Sequence, residues 1–374
     1  MMRTRDRDGC PGALRIHQAA DGALARIRLP GGAITAGQLE ALAEAAEEFG
    51  GGTLELTARG NVQLRAITDP GALAEVVAGA GLLPSAEHEL VRNIVASPLT
   101  GRAGGLVDVR PWVERLDAAI QADPNLTDLP GRFLFSLDDG TGDVAGLAAD
   151  AGIQALGDGR VALLLAGRDT GVRVADEDAV ETLVRIARRF AATREQAWRV
   201  KELDDVQMLL AGYSPESGSL LHPTPTTRPR VGWIPQRNGQ VALGAAVPLG
   251  VLDARQARFV AAVGAPVVIT PWRSVLICDL SEEVADTAVR VLPGLGLVFD
   301  DTSAWLNVTA CVGSPGCANS AADVRAEATR AVRAGAEATR AGSVHYVGCR
   351  RACGRPPTGQ VLVATEDGYL PVVG

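Results

Sequence analysis

Lysine is nearly missing from this chain: Lys201 stands alone among 36 basic residues in 374, and the rest are arginine. A GC-rich genome produces the same bias, so arginine number by itself assigns nothing. Excess positive charge is missing too. The formal net charge of −8 argues against the broad basic face by which a nucleic-acid partner is held. No stretch reaches the roughly 18 apolar residues of a membrane helix. The N-terminus, MMRTRDRDGCPGAL, alternates charges and has no apolar signal core, so the expected location is the cytoplasm. Dinucleotide and P-loop motifs are absent as well. The run GLGLVF at 294–299 lacks the third glycine and the following helix, so reducing equivalents are expected from an external donor. With 47% hydrophobic and 21% charged residues, the chain is nonetheless globular and long enough for two or more cores.

Four of the six cysteines form two tight pairs, Cys311 with Cys317 and Cys349 with Cys353, reading C-x5-C and C-x3-C with 31 residues between them. Four thiolates are what a [4Fe-4S] cluster takes, one per iron, and close pairs let two short turns supply all of them. Structural zinc is the nearest rival, but its usual knuckles have shorter spacings. A disulfide framework would need an oxidising compartment. Cys278, inside the apolar run VLICDL, is expected to be a buried free thiol, and Cys10 an exposed one.

The surroundings of the pairs suit a cluster. Gly313, Pro315 and Gly316 shape the first turn. After Cys317 an alanine- and arginine-rich stretch to residue 341 predicts a helix, with Asn319 or Ser320 as N-cap. Its N-terminal dipole would favour anionic sulfur. The strand SVHYVG then delivers Cys349 and Cys353, with Gly354 permitting a sharp turn. Arg350, Arg351 and Arg355 crowd this turn and suit an anionic ligand or an acidic partner.

Internal repetition organises the rest. Residues 20–67 read as strand, helix and hairpin, and residues 228–280 repeat that order, Thr57 matching Thr270 and Val62 matching Val275. A second echo pairs Asn93–Ser97 with Asn307–Cys311, a serine standing where the later copy has its first cysteine. Four segments are expected: half-domains at 12–80 and 222–292, each followed by an α/β unit, at 84–215 and 300–374. The first α/β unit is predicted to hold strands FLFSLDD and RVALLLAG and helices over AVETLVRIARRFAATR and EQAWRVKELDDVQMLLAG. The Ser- and Pro-rich segment YSPESGSLLHPTPTTRPR reads as a linker.

The duplication, the cysteine pairs and the segments TARGNVQL, RNIVASPLTG and LPGRF together resemble the nitrite and sulfite reductase family. That resemblance implies a pseudo-twofold α+β fold: two ferredoxin-like half-domains and two α/β units, with the cluster in the second. In that family a [4Fe-4S] cluster lies against sirohaem, the last cysteine bridging to the haem iron, a place Cys353 would take. A polycarboxylate tetrapyrrole needs converging cationic and amide donors. By resemblance these would be Arg59, Asn61 and Gln63, Arg92 and Asn93, and Arg132, with Arg273 from the equivalent hairpin of the repeat.

Two departures narrow the resemblance. Sulfite-reducing members place a second basic residue two positions after Arg132, where this chain has Leu134. Compact members with a PWR segment, here Pro271-Trp272-Arg273, and a DVRPW-like segment, Asp108–Trp112, resemble the precorrin-3B synthases of aerobic cobalamin biosynthesis. This implies a tetrapyrrole as substrate, hydroxylated with dioxygen at C20 with γ-lactone formation. Implied with it are a mononuclear non-haem iron beside the cluster and a ferredoxin or flavoprotein reductase as electron donor. Its iron ligands are not named by spacing, since His17, His88, His222 and His345 lie scattered, although His345 sits near the second cysteine pair. A sirohaem-dependent nitrite or sulfite reductase is the alternative, and a carrier holding only the cluster a third. No nucleic-acid or membrane partner is expected.

Overall fold

Both repeats start their first helix with the same chemistry. Thr35 caps the helix Ala36–Phe49 by accepting the N–H of Gln38, while the Gln38 side chain accepts the N–H of Thr35. Asp253 and Gln256 make the same reciprocal pair at the helix Ala254–Ala261. Such boxes satisfy donors that a helix start leaves open. Each glutamine also donates its amide to a carbonyl beyond the second helix of its own repeat, Gln38 to Ala80 and Gln256 to Leu295. The duplication therefore extends to single side chains.

The computed structural model describes residues 9–226, 228–335 and 342–372. The chain folds as two compact units. One takes residues up to Gly12, Arg28–Gly32 and Leu83–Thr226, and the other Ala13–Ile27, Ala33–Leu82 and the C-terminal remainder.

In the second unit the half-domains exchange strands. One sheet has the order His17–Ala19, Gly22–Ile27, Val62–Ile67, Thr53–Leu56, Val251–Asp253; the other runs Gly232–Pro235, Val241–Ala246, Ser274–Leu280, Val267–Ile269, Ala33–Ile34. The last strand of each sheet comes from the other repeat. Val251 pairs with Glu55 and Asp253 with Thr53, while Ile34 pairs with Val267 and Ala33 with Val268, all antiparallel. Each exchanged strand covers an edge that would otherwise present unpaired backbone groups. The helices bury apolar faces at helical spacing, Leu39, Leu42, Ala43 and Ala46 in the first repeat and Ala257, Val260 and Ala261 in the second.

The same unit ends in a four-stranded sheet in which Val308–Ala310, Val344–Val347 and Gln360–Thr365 run parallel and Gly368–Val372 returns antiparallel. The first unit repeats this topology. There Ile94–Ala96, Phe135–Asp138 and Ala151–Ala155 are parallel, and Arg160–Leu165 and Arg168–Ala175 return antiparallel. Phe133, Phe135 and Phe190 are fully buried in its core, with ring centroids 4.9 and 5.1 Å apart.

Three local expectations need correction. The expected helix over 195–212 is two short 3-10 turns, Val200–Glu202 and Gln207–Leu210. Its helix ladder loses to side-chain acceptors: buried Asp150 takes the Val200 N–H and the Arg199 guanidinium, and Glu202 takes the Trp198 N–H. The helix after the first cysteine pair begins later than expected, Val324–Arg333 capped by Asp323, and Ser320 instead bonds the Ala322 carbonyl. The stretch 336–341 lies outside the described residues. Finally, the DVRPW segment leads into an unanticipated helix, Arg110–Ala122, which opens with Pro111 and buries Trp112, Val113, Leu116 and Ile120.

Candidate iron–sulfur site

Parallel pairing brings the cysteine turns together. Cys311 directly follows the strand Val308–Ala310, and Cys349 lies two residues past the neighbouring strand Val344–Val347. The ladder continues one step beyond the strand, the Cys311 N–H donating to the Tyr346 carbonyl at 2.9 Å. The Gly348 N–H then points at Cys311 Sγ, 3.4 Å away. A further bond, Ala321 N–H to the Gly348 carbonyl at 2.9 Å, ties the loop after Cys317 to the second turn. Gly348 is required there, since a Cβ would lie 1.7 Å from Ser320 Oγ.

Cys311, Cys317 and Cys349 are half-buried and Cys353 is exposed. Partial burial of its thiol raises the Cys353 pKa, and Cys311, Cys349 and Cys317 each add to the rise, while Arg351 opposes it. Cys353 thus lies within electrostatic range of the other three sulfurs, and four thiolate ligands held that close would need a cationic centre to neutralise them. The donor set and its two-turn origin suit a [4Fe-4S] cluster. Cys278 is fully buried and apart from this set, as expected, whereas Cys10 is half-buried rather than exposed.

Polar side chains brace both turns. His345 is buried, with Nδ1 2.8 Å from Thr309 Oγ1 and Nε2 3.0 Å from the Cys353 carbonyl. Burial lowers its pKa to about 4, with help from Arg273 and Arg355 and against the bond to Cys353. It stays neutral and holds the second turn. Arg273 donates to the Gly354 carbonyl at 3.1 Å. Burial depresses the pKa of this guanidinium, Arg325 adds to the effect and Glu55 offsets it. Glu55 is buried between two donors, Arg325 at 2.6 Å and Gln63 Nε2 at 2.9 Å.

Arg65 was not anticipated. It lies on the strand Val62–Ile67, is 8% exposed, and donates to the Gly316 carbonyl, beside Cys317, at 2.7 Å. Its signal was in the sequence: Arg59, Asn61, Gln63 and Arg65 are alternate residues, so the polar face of the hairpin runs two positions further than the family motif.

The residues expected at a tetrapyrrole divide between the two compact units. In the cysteine-bearing unit, Asn61 is buried at the hairpin turn, Arg59 is half-buried beside it, and Gln63 accepts from Arg26 at 2.8 Å while donating to Glu55. Arg273 occupies the position of Gly60 in the matching turn. Thr57 and Thr270 make equivalent bonds across each hairpin, and Gly60 and Arg273 both adopt left-handed φ, 66° and 56°. A non-glycine residue there carries backbone strain. In the first unit, buried Arg92 is neutralised by a bidentate pair with Asp117 at 2.7 and 2.8 Å, and the Asn93 amide spans the Leu90 and Gly131 carbonyls, both at 2.9 Å. Both side chains are engaged inside their own unit. Arg132 is exposed and lies over the Trp198 ring, 5.0 Å from its centroid.

The first unit shows what the cysteine position becomes without cysteine. Ser97 stands where the repeat has Cys311: its N–H donates to the Leu137 carbonyl at 3.1 Å, and its Oγ accepts the Asp139 N–H at 3.1 Å, reproducing the bonds of Cys311. Three carboxylates, Asp138, Asp139 and Asp143, gather there. Asp138 accepts four backbone N–H groups, from Gly140, Gly142, Val144 and Ala145, and Asp143 accepts Ser97 Oγ–H at 2.6 Å. These bonds describe a loop scaffold. Among the described residues no histidine joins a three-ligand group. His88 is held by Ser85 and the Asp123 carbonyl, and His17 and His222 are exposed. Among the described residues the histidines therefore do not gather into a three-ligand metal site, in keeping with their scattered positions in the sequence.

The nitrite/sulfite reductase ferredoxin-like half domain matches residues 17–78 and 234–292, the two strand-exchanging repeats. The two repeats are therefore similar to nitrite/sulfite reductase half-domains. A precorrin-3B synthase from a Sinorhizobium species is 27% identical over 98% of this chain and 83% of its own length. The ferredoxin–nitrite reductase of Leptolyngbya laminosa is 34% identical, but only over 30% of this chain and 24% of that protein. The solved structure of the Mycobacterium tuberculosis NirA protein superposes with a TM-score of 0.75 at 21% identity, covering 93% of this chain and 73% of that one, which establishes the shared fold. Among the described residues no helix is long and apolar enough to cross a membrane.

Proposed function

We propose that this protein is an oxidoreductase acting on a tetrapyrrole, with precorrin-3B synthase activity: hydroxylation of precorrin-3A at C20 by dioxygen, with formation of a γ-lactone. One observation carries this reading. Likeness to a precorrin-3B synthase runs through 98% of the chain, whereas the Leptolyngbya nitrite reductase matches 30% of it. Leu134, where sulfite-reducing members place a second basic residue, supports the same choice by removing a cation that would hold an inorganic oxyanion.

The reaction inserts one oxygen atom of dioxygen into the substrate and releases the other as water, consuming two electrons and two protons. Cys311, Cys317, Cys349 and Cys353 would hold a [4Fe-4S] cluster, which supplies single-electron transfer when bound. His345 keeps the Cys353 turn in place as a neutral donor. Arg59, Asn61, Gln63 and Arg273, all in the cysteine-bearing unit, are proposed as donors to the substrate carboxylates. Exposed Arg350, Arg351 and Arg355 offer an acidic ferredoxin or flavoprotein reductase a docking patch. Thiolate ligands suit a reducing cytoplasmic setting.

The test is a spectrum followed by turnover. Protein purified without air should show broad brown cluster absorption with no sirohaem Soret band, and should consume oxygen only when precorrin-3A and a reductant are both supplied. A Soret band with nitrite or sulfite reduction would instead establish the reductase.

A further inference from the structure

Each cysteine turn is gripped from a different repeat. Arg65, from the first half-domain, places Nε 2.9 Å and Nη2 2.7 Å from the two Asp21 carboxylate oxygens, and the same Nη2 donates to the Gly316 carbonyl at 2.7 Å. Asp21 thereby fixes the plane of the guanidinium, and the second Nη2 hydrogen has one direction left. Gly316 directly precedes Cys317. Because a trans peptide is planar, holding its oxygen also sets the direction of the Cys317 N–H and the start of that residue's backbone. The close approach depends on glycine: a Cβ on Gly316 would stand 3.0 Å from Asp21 Oδ2 and 2.7 Å from Val312 Cγ2. On the other turn Arg273, from the second half-domain, donates to the carbonyl of Gly354, where a Cβ would come within 2.7 Å of its Nη2. Arg273 does so from a left-handed backbone position that the first repeat fills with Gly60.

We propose that Arg65, oriented by Asp21, is a positioning residue of the cysteine site: it sets the pose of the Cys317 turn, and Arg273 performs the same service for Cys353. Through these two arginines each half-domain governs one ligand turn. The Cys317 turn is built from Gly313, Pro315 and Gly316 and includes no regular strand or helix, so a buried charged clamp is the device that makes its cysteine ready for a metal. The proposal rests on the reading of the four cysteines as cluster ligands.

Wild type, Arg65→Gln, Arg65→Lys and Asp21→Asn are to be reconstituted anaerobically with iron and sulfide. Iron and acid-labile sulfide per chain, the rate of bleaching by a chelator, and the electron paramagnetic resonance spectrum of the reduced protein are then compared. A charge-assisted hydrogen bond lost from the turn predicts bleaching roughly tenfold to a hundredfold faster in Arg65→Gln. Its spectrum should broaden as the ligand geometry spreads, Arg65→Lys should recover part of the wild-type rate, and Asp21→Asn should fall between. Wild-type bleaching rates and spectra in both Arg65→Gln and Asp21→Asn overturn the proposal. Should Arg65→Gln fail to fold, Asp21→Asn decides alone, since it keeps the arginine and loses only its orientation. If wild type itself takes up neither iron nor sulfide, the cluster reading fails, and that outcome is distinct from a loaded wild type with indifferent variants.

Discussion

His345 Nε2 lies 3.0 Å from the carbonyl oxygen of Cys353, eight residues further along the chain. A carbonyl only accepts, so Nε2 carries the proton, and Nδ1 accepts from the Thr309 hydroxyl 2.8 Å away. Both ring nitrogens are committed, and the histidine that sequence places near the second cysteine pair braces the turn instead of ligating a metal. Replacing His345 by alanine leaves the Cys353 carbonyl and the Thr309 hydroxyl without this partner. A loss of about 1–3 kcal/mol in stability is expected, together with lower iron content. Thermal melts of the reconstituted protein check it, and an unchanged melt with full iron would return His345 to the role of a spectator.

Cys317→Ser and Cys349→Ser should each lose iron and sulfide and destabilise the C-terminal sheet. Cys278→Ser, at a fully buried position outside the set, should keep its iron while losing stability through the buried hydroxyl. Equal iron loss in all three variants would remove the ligand assignment. Iron and sulfide assays alongside circular dichroism separate the two effects.

Strand exchange predicts mutual dependence of the repeats. Residues 228–374 expressed alone lack Ala33–Ile34, so Val267–Ile269 presents a bare edge, and Val251–Asp253 has no partner. This fragment is expected to unfold without a cooperative transition, and adding a peptide of residues 13–82 should restore one. A sharp transition in the isolated fragment would contradict the exchange as a stability determinant.

The acidic loop of the first unit carries a pH signature. Burial raises the Asp143 pKa from 3.8 to about 6, the charges of Asp138 and Asp139 add to the rise, and the Ser97 hydrogen bond opposes it. Between pH 3.8 and about 6 the folded protein keeps a proton that the unfolded chain releases. Stability from this group therefore falls as pH rises through that window. Asp143→Asn should stabilise the protein by ~2 kcal/mol at pH 7.5, with the difference shrinking to nothing near pH 4. Denaturant melts at both values test the sign.

Charge reversal at the proposed docking patch is the last expectation. Arg350→Glu with Arg351→Glu, both exposed, should raise KM for an acidic electron donor about tenfold at low salt, with cluster content unchanged. Steady-state rates that ignore the reversal would place the donor elsewhere.

Much of the site was legible because its signals are local. The C-x5-C and C-x3-C spacings report what two short turns can supply, and the match of Thr57 with Thr270 marks the same hairpin in both repeats. The repeat of Asn93–Ser97 at Asn307–Cys311 likewise marks one strand end seen twice, with the serine keeping the hydrogen bonds of the cysteine it replaces. Where local pattern misled, long-range partners were the cause. The stretch 195–212 has helical apolar spacing, yet Asp150, some fifty residues earlier, captures the Val200 N–H.

From residue order alone came the four thiols, the duplication and the polar face of the hairpin, because periodicity and spacing are written within a few turns of chain. Only the tertiary structure decided that the repeats trade edge strands, that His345 serves the Cys353 turn, and that Arg65 reaches Gly316 across 251 residues. Backbone edges and buried donors are satisfied by whatever partner the folded chain brings near, and that choice is made by the packing of distant segments.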